Sequence, residues 1–536
     1  MRISCGVLSM GLSAALFGVT SLGQSTVAVT VDARKPLNVL TDQLVGAYTQ
    51  MGDGDLLSDK SLGLMRSAGV NAITYPSGFD SVSQLYHWSV QRNTPKAGNS
   101  DALRNPNVNP ANDFGHVAAA LGHNAMSAVV HVNYGSNIAG TGGGEPKEAA
   151  AWVAYANGNP TDERVIGTDS GGQDWKTVGY WATLRASSPL AADDGYNFLR
   201  IGRELGLHLT LWQIGEDVPE NGYYGGDHKG TFDLHAPYPA SSKDNDKRRK
   251  LKELSPKFYA DRLTEYAAAM KAIDPNIKIG ASLTTPTIDT WASDWNDQVL
   301  KESCKDIDFV AFGWHPGGTL PPDWKMLDDA SVMHSTYELW PKVVAETLYE
   351  YKNDCPAGRV PRLVLSEVSP IAWPKVGDPM VKALYAADIY ATLGESGIAN
   401  ASWFQLREDG LLDKTGKPNP AYYGAQMIHI VAYRPGDAYV SVKGASSSLA
   451  VHATRRQDGI VGVMLINEDP KQAVHVNLNV AGGATLAAAG VRFDYGPAQQ
   501  AQSAGPARST LAIDGLALSI NVPANAIVDL WLPIKK

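Results

Sequence analysis

The sequence predicts an α/β protein, a (β/α)8 TIM barrel joined to a smaller, discontinuous β-sandwich. Two patterns predict it. Up to residue 428, eight short β-rich segments alternate with helix-patterned ones. Beyond it, short alternating segments follow one another with Gly, Ser and Pro between them. The length, 536 residues, also exceeds what one hydrophobic core ordinarily serves.

The barrel strands are expected at 44–49, 71–75, 126–133, 207–214, 277–283, 307–314, 362–367 and 399–405. Several are nearly continuous apolar runs, as parallel strands buried on both faces should be. Helices are expected at 145–157, 194–205, 256–273, 340–351 and 380–396. In the third of these, Phe258, Leu263, Tyr266, Ala267 and Met270 recur at helical spacing. Sandwich strands are expected at 449–453, 460–466, 475–480 and 526–532. The segment 26–32 alternates in the same manner ahead of the barrel and should pair with them. The expected division is therefore 1–23 as a signal peptide, 24–36 as a strand of the sandwich, 37–428 as the barrel and 429–536 as the rest of the sandwich.

Met1-Arg2 followed by an apolar stretch, Val7 to Leu22, rich in Gly, Ser and Ala, reads as a secretory signal, so a secreted or periplasmic protein is expected. Export permits a disulfide. Cys304 and Cys355 lie just ahead of two neighbouring predicted strands and are expected to form one. The net charge of −9 offers no field for nucleic acid or an anionic membrane surface. The basic run from Lys247 to Lys252 is interrupted by Leu251 and follows Asp244 and Asp246, which suits a solvated loop.

Chemistry concentrates at two strand ends. Trp212-Gln213-Ile214-Gly215-Glu216-Asp217 and Leu363-Val364-Leu365-Ser366-Glu367 each close an apolar run with carboxylates. A parallel barrel keeps its active groups at that end of its strands. Two opposed carboxyl groups are what cleavage of a glycosidic bond requires, one to protonate the leaving oxygen and one to meet the developing cation. Competing chemistries find little support. Gly140-Thr141-Gly142-Gly143-Gly144 lacks the Lys-Ser/Thr ending of a phosphate loop. No zinc-type Cys pair, no His-Glu-x-x-His and no Gly-x-Ser-x-Gly is present, and His228, Asp233 and His235 form only a loose polar cluster. No cofactor and no metal are expected.

The chain resembles the α-L-arabinofuranosidase-type glycoside hydrolases of the large retaining barrel clan. The resemblance rests on several blocks in order: Val132-Asn133-Tyr134-Gly135, the stretch from Gly144 to Gly158, Trp212-Gln213-Ile214-Gly215, Asn221-Gly222-Tyr223-Tyr224-Gly225, and Tyr266-Ala267 with Ala269 to Pro275. It implies a carbohydrate substrate, an acid/base on strand four and a nucleophile on strand seven. Glu367 matches the nucleophile. On strand four such relatives read Gly-Asn-Glu, whereas this chain reads Gly215-Glu216-Asp217. By alignment Asp217 takes the acid/base position, on an arm one methylene shorter, which leaves retaining and inverting chemistry both open. Successive strand residues point to opposite sides, and a local twist at the strand end would aim Glu216 inward instead. Glu216 therefore stands as the alternative acid/base or as a substrate contact.

On strand six, Gly313-Trp314-His315-Pro316 stands where relatives carry His-Trp-Tyr-Pro. The tyrosine that supports the nucleophile is replaced by His315, which either orients Glu367 or forms pocket wall. Aromatic rings pack on the apolar faces of sugars. Trp314, Trp403, Tyr223 and Tyr134, with Asn133 beside them, are the candidate substrate contacts. Three readings remain: a hydrolase; a carbohydrate-binding protein on the same barrel that lost efficient catalysis when the Asn-Glu pair changed; and a hydrolase with a new substrate, in which Glu216 or His315 recruits a charged or amino sugar.

Overall fold

A computed structural model describes residues 26–535 apart from 78–84, 91, 94–108, 220–232, 237–249, 287–292, 317–328, 371–377, 433, 447, 483–484 and 515–516. The expected signal segment and Tyr223 lie outside the described residues.

Eight parallel strands close into a barrel. In chain order they are Val45–Tyr48, Ala72–Tyr75, Ser127–Val132, Leu211–Ile214, Lys278–Ser282, Phe309–Trp314, Arg362–Val368 and Asn400–Trp403. Each pairs in parallel with its neighbour in sequence, and the eighth returns to the first. The eight strand positions agree with those expected from the sequence. Closure gives every strand an inside and an outside. Val129, Leu211, Phe309, Ala311, Val364 and Ala399 fill the interior as an apolar plug. The opposite faces meet the helices in the main hydrophobic core.

The helices start where local chemistry favours a start. Ser58, Asp113, Thr177, Ser255 and Asp378 each cap a helix by accepting a backbone N–H one turn on, each worth about 1 kcal/mol. Proline opens Pro146–Asn157, Pro256–Lys271, Pro379–Glu395 and Pro420–Val431, where its missing N–H has no partner to lose. One expectation fails. The 194–205 stretch holds only a single short turn, Asn197–Leu199, and the second helix of that crossover, after Pro146–Asn157, is Val178–Ala186. Gly195 and Gly202 adopt φ of +91° and +65°, which breaks the helix that the apolar spacing suggested.

The second unit is a nine-stranded, mostly antiparallel sheet folded over its own apolar core. The N-terminal strand Thr26–Val39 lies inside it, antiparallel to Ala438–Lys443 and parallel to Val474–Ala481. The sandwich is therefore discontinuous in sequence. It packs on the barrel helices Pro379–Glu395 and Pro420–Val431. At that junction His452 is clamped between Asp388 at 2.8 Å and Glu395 at 2.9 Å. Burial opposes the charge on His452, but the two carboxylates outweigh it and lift the imidazole to about 10. Burial, with Asp388 nearby, raises the Glu468 carboxyl beside them to about 9.

Cys304 and Cys355 are joined as expected, their Cα atoms 5.4 Å apart, tying the segments that lead into strands six and seven. Among the described residues no helix is long and apolar enough to cross a membrane.

Two outcomes follow from these contacts. A bridge spanning 51 residues contributes about 4 kcal/mol by restricting the unfolded chain. Replacing both cysteines by serine should lower the melting temperature by a few degrees in calorimetry, and an unchanged value would show that the bridge contributes nothing. His452 gains its proton affinity on folding, so its stabilisation is complete below its ordinary value of about 6.5. It is lost as pH rises toward 10. Glu468 acts in the same direction, because its folded form holds the proton more tightly than the unfolded one. Melting temperature should therefore decline from pH 7 to 10, and H452Q should flatten that decline.

Candidate active site

Strand seven meets strand six in register up to Leu365 opposite Phe312, and then steps so that Glu367 lies opposite Gly313. Two residues, Ser366 and Glu367, thus fill one inward place, which is a β-bulge. Val364 belongs to the interior plug and Leu365 to the outer core. Strict alternation would send Ser366 inward and Glu367 out among the helices. The bulge turns Glu367 into the mouth of the barrel, and Val368 resumes the outward face.

His315, just past the end of strand six, meets Glu367 there. Its Nε2 is 2.9 Å from Glu367 Oε2, and its Nδ1 is 3.2 Å from the carbonyl of Ser369. A carbonyl can only accept, so Nδ1 carries a proton. The second bond then needs one more proton, shared between Nε2 and the carboxyl of Glu367. Of the two sequence readings of His315, orientation of Glu367 is the one this geometry favours. The ring of Phe404 stands edge-on to His315 at 5.6 Å and is itself partly exposed.

Strand four turns at its end in a different way. Leu211 belongs to the plug, so Gln213 faces inward and Glu216 would fall outside by alternation. Gly215 at φ +70° and Asp217 at φ +45° rotate the chain there. The consequence is that Glu216 is only 6% exposed and lies 3.2 Å from Nδ1 of His131, an inward residue of strand three, whereas Asp217 is exposed. The acid of strand four that is buried beside the inner column is thus Glu216, while Asp217, which alignment put first, is exposed to solvent. Ser282 of strand five accepts from the backbone N–H of Val218, holding the turn at 3.4 Å.

The tryptophan expectations are corrected. Trp314 is fully buried on the outer face against Trp340, with ring centres 5.6 Å apart. Trp403 packs outward against Tyr385 and Tyr390. Parallel strands are apolar on both faces, so a tryptophan at a strand end carries no sequence sign of its direction. Tyr134 is buried against Tyr259 and His235. Asn133 is buried too, its amide holding the Tyr86 carbonyl and Ser136. Neither presents its side chain to a cleft. Sequence reasoning missed Phe404, one residue beyond the favoured tryptophan. It also missed His131, whose signal was a lone ionisable residue in the apolar run Ser127–Val132.

Among the described residues no group of three or more His, Cys, Asp or Glu side chains is placed to hold a metal. A cavity of about 780 Å³ lies elsewhere, alongside the helices Asp59–Ser67 and Phe114–Asn124, lined by Arg66, His123 and Arg203.

No family model and no curated protein matches the chain. Solved structures do. An α-L-arabinofuranosidase from Thermotoga maritima, in complex with arabinose, superposes with a TM-score of 0.66 at 16% identity, covering 95% of this chain and 100% of that one. The GH51 arabinofuranosidase from Xanthomonas axonopodis pv. citri gives 0.64 at 16% identity, covering 95% and 99%. A Paenibacillus polymyxa xyloglucanase from glycoside hydrolase family 44 gives 0.58 at 13% identity, covering 95% and 100%. The chain shares the two-unit fold of these glycoside hydrolases over nearly its whole length.

Proposed function

We propose that the protein is an exported glycoside hydrolase that cleaves glycosidic bonds of a polysaccharide or oligosaccharide by a retaining, two-carboxylate mechanism. One observation carries the reading: the acids of strands four and seven both turn inward at the C-terminal mouth of the barrel, each by a local departure from strand alternation. The likeness to solved glycoside hydrolases supports it at the level of fold. The Cys304–Cys355 bridge suits an oxidising compartment, in keeping with the apolar N-terminal segment.

The residues have distinct roles. Glu367 attacks the anomeric carbon to form a glycosyl-enzyme, with His315 fixing its carboxylate through Nε2. Glu216 protonates the leaving oxygen and then takes a proton from the water that releases the sugar. Phe404 supplies an apolar surface beside the reacting centre. The resemblance to arabinofuranosidases makes arabinofuranosides the first substrates to try.

The test is turnover of a panel of aryl furanosides and pyranosides, followed by a 2-fluoro glycoside that traps the covalent intermediate. E367Q should lower kcat/KM by about 10³-fold or more, and the trapped label should map to Glu367. Tight oligosaccharide binding without turnover, unchanged in E367Q, would instead make the protein a carbohydrate-binding module on a hydrolase barrel.

A further inference from the structure

We propose that His131 is the positioning residue of the acid/base, an imidazole built into the barrel floor to govern the proton of Glu216. The inference rests on the hydrolase reading above and goes beyond it. It also separates the two acids of strand four by function.

His131 occupies the inward column of strand three, two residues above Val129 of the interior plug, and is fully buried. Burying an imidazole without well-made hydrogen bonds is unfavourable, and buried histidines normally bond through their ring nitrogens. Among the described residues neither ring nitrogen of His131 makes an aligned hydrogen bond. Its close polar approach is instead to the carboxyl of Glu216, 3.2 Å from Nδ1. Its neighbour in register, Gln213, turns its amide to the carbonyl of Gly215 and stiffens the same turn. The ring is therefore placed by what Glu216 needs rather than by packing alone.

That need is chemical. In the first step the proton of Glu216 moves to the glycosidic oxygen. The bond from that oxygen to the anomeric carbon breaks with its electron pair kept on oxygen, and Glu367 forms the new bond to carbon. In the second step water attacks that carbon, its proton goes to Glu216, and the bond to Glu367 breaks. Glu216 is thus an anion for half of the cycle in a site only 6% exposed. With Nδ1 already 3.2 Å from Oε2, a small turn of the ring or the carboxyl brings an imidazole N–H onto that anion, which stabilises it and aims the carboxyl, while His131 keeps the same protons throughout. Among the described residues, the other ionisable groups at the ends of strands four, six and seven are Glu367 and His315, which are bound to each other, and Asp217, which is exposed; Arg407 and Asp53, paired at 2.6 Å, follow strands eight and one. Strand five presents Ser282, and the ends of strands one, two and eight present Thr49, Ser77 and Gln405, none of them charged.

The experiment measures kcat/KM for aryl glycosides over a range of leaving-group acidity, as a function of pH, for the parent, H131L, H131N, E216Q and D217N. Removal of the imidazole should act where protonation limits the rate. In H131L, substrates with poor leaving groups should lose about 10²-fold and dinitrophenyl substrates far less, and the alkaline limb should move to higher pH. H131N, which restores an N–H donor, should recover part of the loss and guards against a misfolded H131L. E216Q should show the same steep leaving-group dependence in stronger form. Parent-like dependence and an unmoved limb in both His131 variants would overturn the proposal, as would a steep dependence in D217N but not in E216Q. A parent protein without turnover or label on Glu367 would instead remove the hydrolase reading itself, a result distinguishable from either of these.

Discussion

A one-residue slip in the pairing of strands six and seven decides which way Glu367 points, and the chemistry of the barrel mouth depends on it. Without the step from Leu365 opposite Phe312 to Glu367 opposite Gly313, the carboxylate would face the helix ring, out of reach of Nε2 of His315. Bulges bend a strand and re-aim its side chains at the loss of part of the hydrogen-bond ladder. Here the loss is small, because Val368 resumes pairing with Trp314 at the next position. Strand four reaches the same end through two left-handed residues at Gly215 and Asp217. The non-glycine residue in that conformation carries local strain of order 1–3 kcal/mol, which the closed barrel around it sustains.

The fold was legible in the sequence because its signals are periodic and redundant. Eight apolar runs separated by helical stretches admit few other arrangements, and right-handed parallel crossovers narrow them further. The N-terminal strand could be assigned to the distant sandwich because Thr26–Val31 alternates polar and apolar residues as an antiparallel strand should, unlike the barrel strands. The crossover helix at 194–205 was misread for an opposite reason. Apolar spacing suggested a helix, but Gly195 and Gly202 at positive φ override a weak periodicity, while Thr177 sets the true start further upstream.

The site was legible only in part. Alternation along a strand is the usual guide to direction, and strands four and seven abandon it at their last residues. Glu367 was found through the resemblance and the strand-end rule together. The choice between Glu216 and Asp217 turned on a backbone rotation that no residue type announces, apart from the glycine before them. Trp314 and Trp403 were misdirected because a strand buried on both faces gives its aromatic residues no polar side to avoid. His131 went unread because a single histidine in an apolar run has no pattern; its meaning appears only when strand four is laid beside it.

Fold and function separate cleanly in this molecule. Arabinofuranosidases and a xyloglucanase share its architecture at 13–16% identity, so the barrel and sandwich alone specify no substrate. Beyond the shared fold, the mouth of this barrel carries four inward side chains arranged as two carboxyl–imidazole pairs, Glu216 with His131 and Glu367 with His315. Each pair sets an imidazole beside a carboxyl group largely withdrawn from bulk water, where polar interactions are stronger than in solvent. In the proposed double displacement one acid gives up a proton while the other attacks as an anion, and the four side chains that would serve it stand at the ends of strands three, four, six and seven of a closed sheet.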